Sequence, residues 1–209
     1  MKGLLLKDWY LTIKYCKMYL LVDLFFIIGS VFDEDNYVFF VLYPAVMSGI
    51  MSSTLLGYDE RAKWDVYCGA FPLTKAQIVS EKYIVGMIMQ AILLALMIPA
   101  QLARMAMRPD YGIRECVTVL VLLIFISGFS TAFCLPFLFK LGTEKGRIVH
   151  MFTIALVCGG TAAASFSVDM EQLALLGTQL LIPLILVFAI VLYACSWYLS
   201  IYFYRKRNI

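Results

Sequence analysis

Charge is scarce in this sequence. Asp, Glu, Lys and Arg make up 15% of 209 residues against 63% hydrophobic residues, and the mean hydropathy is +0.87. Soluble domains carry about a quarter charged residues, so a water-soluble fold is not expected. Histidine is nearly absent: His150 stands alone, with no Glu-x-x-His spacing and no paired carboxylates near it, which argues against metal-assisted or acid–base chemistry. Cys16, Cys68, Cys116, Cys134, Cys158 and Cys195 form no CxxC pair and fall mostly in apolar runs, as reduced packing residues do. A net charge of +3 gives no support to nucleic-acid binding. No internal repeat or low-complexity tract is present. Residues 1–18 mix Lys2, Lys7, Asp8, Lys14 and Lys17 with apolar residues and lack a small-residue cleavage site, so they are expected to stay on the protein.

Long apolar runs are what the chain does have. They cover residues 19–32, 37–57, 83–103, 117–139, 148–166 and 180–204, and one crossing needs about 20 apolar residues. The expectation is an all-α polytopic membrane protein with about six transmembrane helices, forming a single membrane domain over 1–209. The first run is short unless it begins nearer Tyr15, and a re-entrant piece at 173–179 is one reading of the stretch before the last. Within 1–18, Leu5, Leu6, Trp9, Ile13 and Cys16 share one helical face while Lys7 and Lys14 lie on another. That pattern predicts an amphipathic helix lying in the membrane surface, with Trp9 and Tyr10 in the headgroup layer and the lysines on anionic lipid. The alternative is a cytoplasmic start to the first span.

Orientation follows the placement of Lys and Arg. With both termini inside, the cytoplasmic segments hold Lys2, Lys7, Lys14, Lys17, Arg61, Lys63, Lys75, Lys82, Lys140, Lys145, Arg147, Arg205, Lys206 and Arg207, fourteen of the seventeen. The outer connections hold Asp33, Glu34, Asp35, Asp169 and Glu171. Arg104, Arg108 and Arg114, beside Asp110 and Glu115, run against this bias.

The most informative stretch is 58–82, the long polar connection between the second and third runs, expected on the cytoplasmic side. Asp59-Glu60-Arg61 suits a helix N-terminus, the chain breaks at Gly69 and Pro72, and Thr74 with Gln77 predicts a capping box that starts a new helix. Trp64, Tyr67, Phe71, Pro72 and Leu73 are available for burial although no crossing covers them. With Arg61, Lys63 and Asp65 as a polar rim, they form a knob suited to a groove on a soluble partner. An interfacial helix resting on lipid is the plainer reading.

At these residues the sequence resembles the permease subunits of bacterial ABC type-2 exporters of the small six-span kind, such as those that export phenol-soluble modulins. The matching pattern is Trp64, Tyr67, Pro72, Leu73, Thr74, Lys75, Ile78, Val79, Lys82 and Tyr83, together with an amphipathic opening at Met1-Lys2-Gly3-Leu4-Leu5-Leu6-Lys7-Asp8. Phe71 departs from the Leu that relatives often carry there. The resemblance implies that 58–82 contains a coupling helix that docks on an ATP-binding subunit, and that the permease works as a dimer with a second copy or a paralogue. It also implies a bacterial cell membrane setting, and the 13 Tyr, 15 Phe and 11 Met of the apolar walls would suit an exported amphipathic peptide, lipid or drug-like substrate. Gly142-Thr143-Glu144-Lys145-Gly146-Arg147 lacks the spacing and ending of a phosphate loop, so ATP would be bound and hydrolysed by the partner, leaving this chain without a cofactor.

Three further features remain. Asp23 is the one acid well inside a predicted crossing, either a polar site facing a cationic substrate or a carboxylate paired or snorkelling near the interface. Ser127-Gly128-Phe129-Ser130 has no base at a readable spacing and suits helix packing, which weakens an intramembrane hydrolase. The small residues at 159–165 suit close helix approach. A non-transporting sensor or immunity protein that binds an ATPase-like partner is the other alternative.

Overall fold

A computed structural model of the chain describes residues 2–33, 37–68, 71, 74–109, 111–142, 145–146, 148–149, 151–155, 159 and 178–206. Its longer elements are α1 (Lys2–Tyr15), α2 (Lys17–Phe32), α3 (Tyr37–Arg61), α4 (Trp64–Cys68), α5 (Lys75–Met107), α6 (Ile113–Leu141) and α7 (Thr178–Lys206). No strand occurs among the described residues. Four helices, α3, α5, α6 and α7, are long and apolar enough to cross a membrane, and α1 with α2, bent by 69° at their junction, make a fifth if taken as one span. The expected crossing at 148–166 is helical at 151–155 and lies mostly outside the described residues. So does the piece at 173–179, of which Thr178 and Gln179 belong to α7 rather than to a separate re-entrant segment.

The bend between α1 and α2 falls at Cys16, where no Pro or Gly marks it. Cys16 is fully buried against Met51, Leu55, Val85 and Met89, so tertiary packing sets the angle. The face of α1 turned to the bundle carries Leu4, Asp8, Thr12 and Cys16, at i, i+4 spacing, while Leu6, Trp9, Tyr10 and Ile13 are exposed. The amphipathic reading of 1–18 is corrected in two places: Cys16 leaves the outer face, and Lys7 turns toward Asp59 instead of lipid headgroups.

Without a strong apolar drive between helices in a bilayer, small residues and polar ties hold spans together. At Gly49 of α3 a methyl group would collide with the Ser130 hydroxyl of α6 and come within 2.9 Å of its Cβ. Ser130 Oγ donates across that contact to the Val46 carbonyl at 3.4 Å, and Ser127 donates to its own helix at Ile124, so both serines serve packing.

At the end of the bundle opposite α4, the arginines between α5 and α6 find a role the charge bias does not provide. Arg104, 7% exposed, donates from Nη1 to the carbonyls of Ser30 at 2.6 Å and Asp33 at 2.9 Å, and Arg108 donates to the Phe32 carbonyl at 3.1 Å. These carbonyls end α2, where the helix dipole is negative. The Arg104 guanidinium also stacks 3.8 Å from the Tyr37 ring centroid. Tyr37 and Tyr111 both donate to Gln101 Oε1, at 2.7 and 2.8 Å. Burial pushes the Tyr111 hydroxyl above its ordinary range. Arg104→Met should lower stability by about 1.5–3 kcal/mol, the value of hydrogen bonds to a charged group. Arg114 is exposed, and Arg114→Met should leave the thermal midpoint of the detergent-purified protein unchanged. Equal midpoints for the two variants would contradict the capping role.

Candidate functional site

The connection between α3 and α5 folds as an elbow. Asp59-Glu60-Arg61 form the last turn of α3 and not the first turn of a new helix, because nothing after Gly57 interrupts the α3 backbone ladder. Ala62 and Lys63 close that turn by donating to the carbonyls of Tyr58 and Glu60, and Lys63 takes a left-handed conformation with φ of 51°. A non-glycine residue held there costs about 1–2 kcal/mol, which surrounding contacts must offset. The five-residue α4 follows, and Val66 N donates to the Lys63 carbonyl. Thr74 then caps α5: its hydroxyl accepts from the Gln77 amide while the Gln77 side chain accepts from the Thr74 amide at 3.0 Å, as the capping box predicts. At 33 residues, α5 is about 50 Å long and exceeds the roughly 30 Å of hydrocarbon it would cross.

Directly behind the elbow lies a cluster of buried charge. Lys82, 1% exposed, places Nζ 2.6 Å from Asp8 Oδ2 and 2.6 Å from Asp59 Oδ2. Lys7 Nζ donates to both oxygens of Asp59, at 2.8 and 2.9 Å, and lies 3.2 Å from Asp8 Oδ1. Two ammonium groups and two carboxylates from α1, α3 and α5 thus neutralise one another. A carboxylate in the last turn of α3 opposes the helix dipole, and the two lysines supply the compensating charge. Glu81, also 1% exposed, has no hydrogen-bond partner for either carboxylate oxygen among the described residues. The cluster reaches the elbow through Lys7, whose ammonium stands 4.5 Å from the centroid of the Trp64 ring, and Trp64 stacks on Phe71 at 6.4 Å.

The residues singled out in the sequence divide between surface and interior. Arg61, Lys63, Tyr67 and Phe71 are exposed, with Val66 beside them. Trp64 is half-buried and turned inward onto the cluster of Cys68, Ile78, Val79 and Tyr83, so it is less available as a surface contact than its place in the sequence suggests. Asp65 lies on α4 but its side chain is outside the description, and Pro72 and Leu73 lie outside the described residues, as does His150. Asp23 sits apart, in α2.

The pattern Ile78, Val79, Lys82, Tyr83 is buried throughout. While Lys82 faces α1 and α3, the Tyr83 hydroxyl is 2.7 Å from the hydroxyls of both Ser196 and Ser200, its carbonyl accepts from Tyr193, and its ring lies parallel to Trp197 at 5.5 Å. Adjacent residues of α5 therefore tie the elbow to α1 and α3 on one side and to α7 on the other. The roles of Asp8 and Asp59 were missed from sequence. The available signal was Lys82 at the very edge of an apolar run, since a charge so placed needs a partner. Among the described residues no group of three or more His, Cys, Asp or Glu could hold a metal ion. The arrangement is built to hold helices in register.

Lys82→Met leaves the buried carboxylates of Asp8 and Asp59 to share the single ammonium of Lys7 and should cost about 3–5 kcal/mol, the usual consequence of removing one partner of a buried ion pair. Asp59→Asn combined with Lys82→Met leaves the Lys7–Asp8 pair and should recover part of that loss. Thermal denaturation of the single and double variants measures both, and additive losses would show that the two groups do not interact.

No curated protein and no solved structure matches the chain. A protein-family profile described as ABC-2 family transporter protein matches residues 3–205. The apolar helices and this match, which spans nearly the whole sequence, lead to one conclusion: the chain is a multi-pass membrane protein of the ABC-2 transporter family.

Proposed function

We propose that this chain is the membrane-spanning permease subunit of an ATP-driven exporter, docked through its α3–α5 elbow onto a separate ATP-binding-cassette subunit. The family assignment carries the class, since permeases of this family work with such ATPases. The exposed Val66, Tyr67 and Phe71, rimmed by Arg61 and Lys63, carry the docking site. Aromatic anchors with a charged rim are the composition of protein contacts. The concentration of Lys and Arg on the elbow side and at both termini supports a cytoplasmic elbow in a bacterial cell membrane.

In this reading ATP is bound and hydrolysed by the partner, and closure of two ATPases pushes the elbows of two permease copies, or of one copy and a paralogue. Force enters at α4, passes through Trp64 and Lys7 to the ion cluster, and moves α1, α3 and α5 together. Tyr83 extends the same movement to α7. Rigid-body rocking of this kind opens a path at the permease interface to an amphipathic peptide, lipid or drug-like cargo.

Tyr67→Ala combined with Phe71→Ala should weaken co-purification with the ATPase subunit by about tenfold or more, as expected for loss of contact hot spots. ATPase stimulation should fall in parallel, with the thermal midpoint of the permease unchanged because both side chains are exposed. Undiminished co-purification would contradict docking at the elbow.

A further inference from the structure

Away from the ion cluster, a cavity of about 480 Å³ lies between α2, α3 and α5, within the range of roughly 300–1,000 Å³ typical of small-molecule sites. Leu24, Met51, Met89 and Leu93 wall it with apolar surface, and the two methionines provide flexible, polarisable contact. Asp23 lines the same space. This carboxylate is 6% exposed, and its Oδ1 has no hydrogen-bond partner among the described residues. Ser48, on the α3 wall, donates its hydroxyl to the Ala45 carbonyl at 2.7 Å. Lys17 also lines the cavity, but it is exposed and lies six residues from Asp23, about 9 Å along the helix, which places it toward one end.

An unpartnered carboxylate among leucines and methionines defines its complement. A neutral hydrocarbon would fill the walls and leave the acid without a partner. An anion would add repulsion, and a small hydrated cation would leave the apolar walls unfilled. An apolar body bearing one positive charge satisfies both. Leu21, Leu24 and Leu96 line the cavity and are also exposed on the outer surface of the bundle, so its opening faces the region where acyl chains would lie. We propose that this cavity binds an amphipathic cation taken up from the bilayer, with the charge seated on Asp23 and the apolar body between α2, α3 and α5. As a class of cargo the ligand rests on the transporter reading above. As a binding site it does not.

Equilibrium dialysis of the purified permease without its ATPase, in detergent, tests the site with tetraphenylphosphonium and tetraphenylborate, which share a shape and differ in charge. After subtraction of empty micelles, the wild type should hold the phosphonium at least about tenfold tighter than the borate. Asp23→Asn should abolish that preference while folding at least as well, Asp23→Glu should keep it, and Leu24→Trp should weaken phosphonium binding by filling the cavity. Equal binding of the two ions by the wild type, or an unchanged preference in Asp23→Asn, would overturn the proposal. If the binding pattern holds but vesicles containing permease and ATPase do not move the phosphonium on ATP addition, the site stands and the transporter reading fails for it.

Discussion

An ammonium group withdrawn from water must find its counter-charges in fixed positions, and Lys82 finds them in Asp8 and Asp59. Asp8 lies 74 positions away in the chain, so satisfying this one charge fixes where α1 and the end of α3 lie against α5. The consequences spread outward. Helix α1 is held against the bundle by its Asp8 face, which leaves Trp9 and Ile13 outside. The turn at Cys16 then directs α2 away at a steep angle. Asp59 can occupy the last turn of α3, against the helix dipole, only because Lys7 and Lys82 neutralise it. Through the Lys7–Trp64 contact the short α4 is set on the same foundation.

Both ends of the bundle are fastened on the same principle. Near α4 the cations meet carboxylates; at the far end Arg104 and Arg108 meet the terminal carbonyls of α2. Between these polar clasps the spans touch mainly through apolar side chains and at close contacts such as Gly49 with Ser130. Apolar contacts in a bilayer have little directional preference, so the clasps decide which helix moves with which. In the proposed mechanism a push on the elbow would therefore reach α1, α3, α5 and α7 as a unit. The cavity beside Asp23 lies between α2 and two of those helices, α3 and α5, so a shift of α2 relative to them would change its shape.

Much of the fold was legible because apolar length is a local property. The runs at 19–32, 37–57, 83–103, 117–139 and 180–204 each lie within a helix, and the Thr74–Gln77 capping box forms as its spacing predicts. The buried site was less legible. Asp59-Glu60-Arg61 reads as a helix start because acids favour N-termini, yet the α3 ladder runs through them and long-range pairing supplies the charge that the local rule assumes is missing. Lys7 reads as a lipid-facing residue of an amphipathic helix until Asp59 is brought beside it. Arg104 contradicts the charge bias until the end of α2 is placed next to it. Each miss concerns a polar group whose partner lies far away in the chain, and local pattern carries no trace of such partners. Asp23, flagged as an acid within a span, does lie buried on a cavity wall, though what faces it could be named only once the helices around it were placed.

If the elbow docks on an ATPase as proposed, the exposed face of α4 is what meets that subunit. A photo-reactive benzophenone side chain placed at position 67, on the exposed face of α4, should crosslink to the ATP-binding-cassette subunit in the assembled transporter, while the same group at position 113, exposed at the start of α6 at the opposite end of the bundle, should not. Crosslinking to the ATPase from position 113, or only to lipid from position 67, would contradict the account.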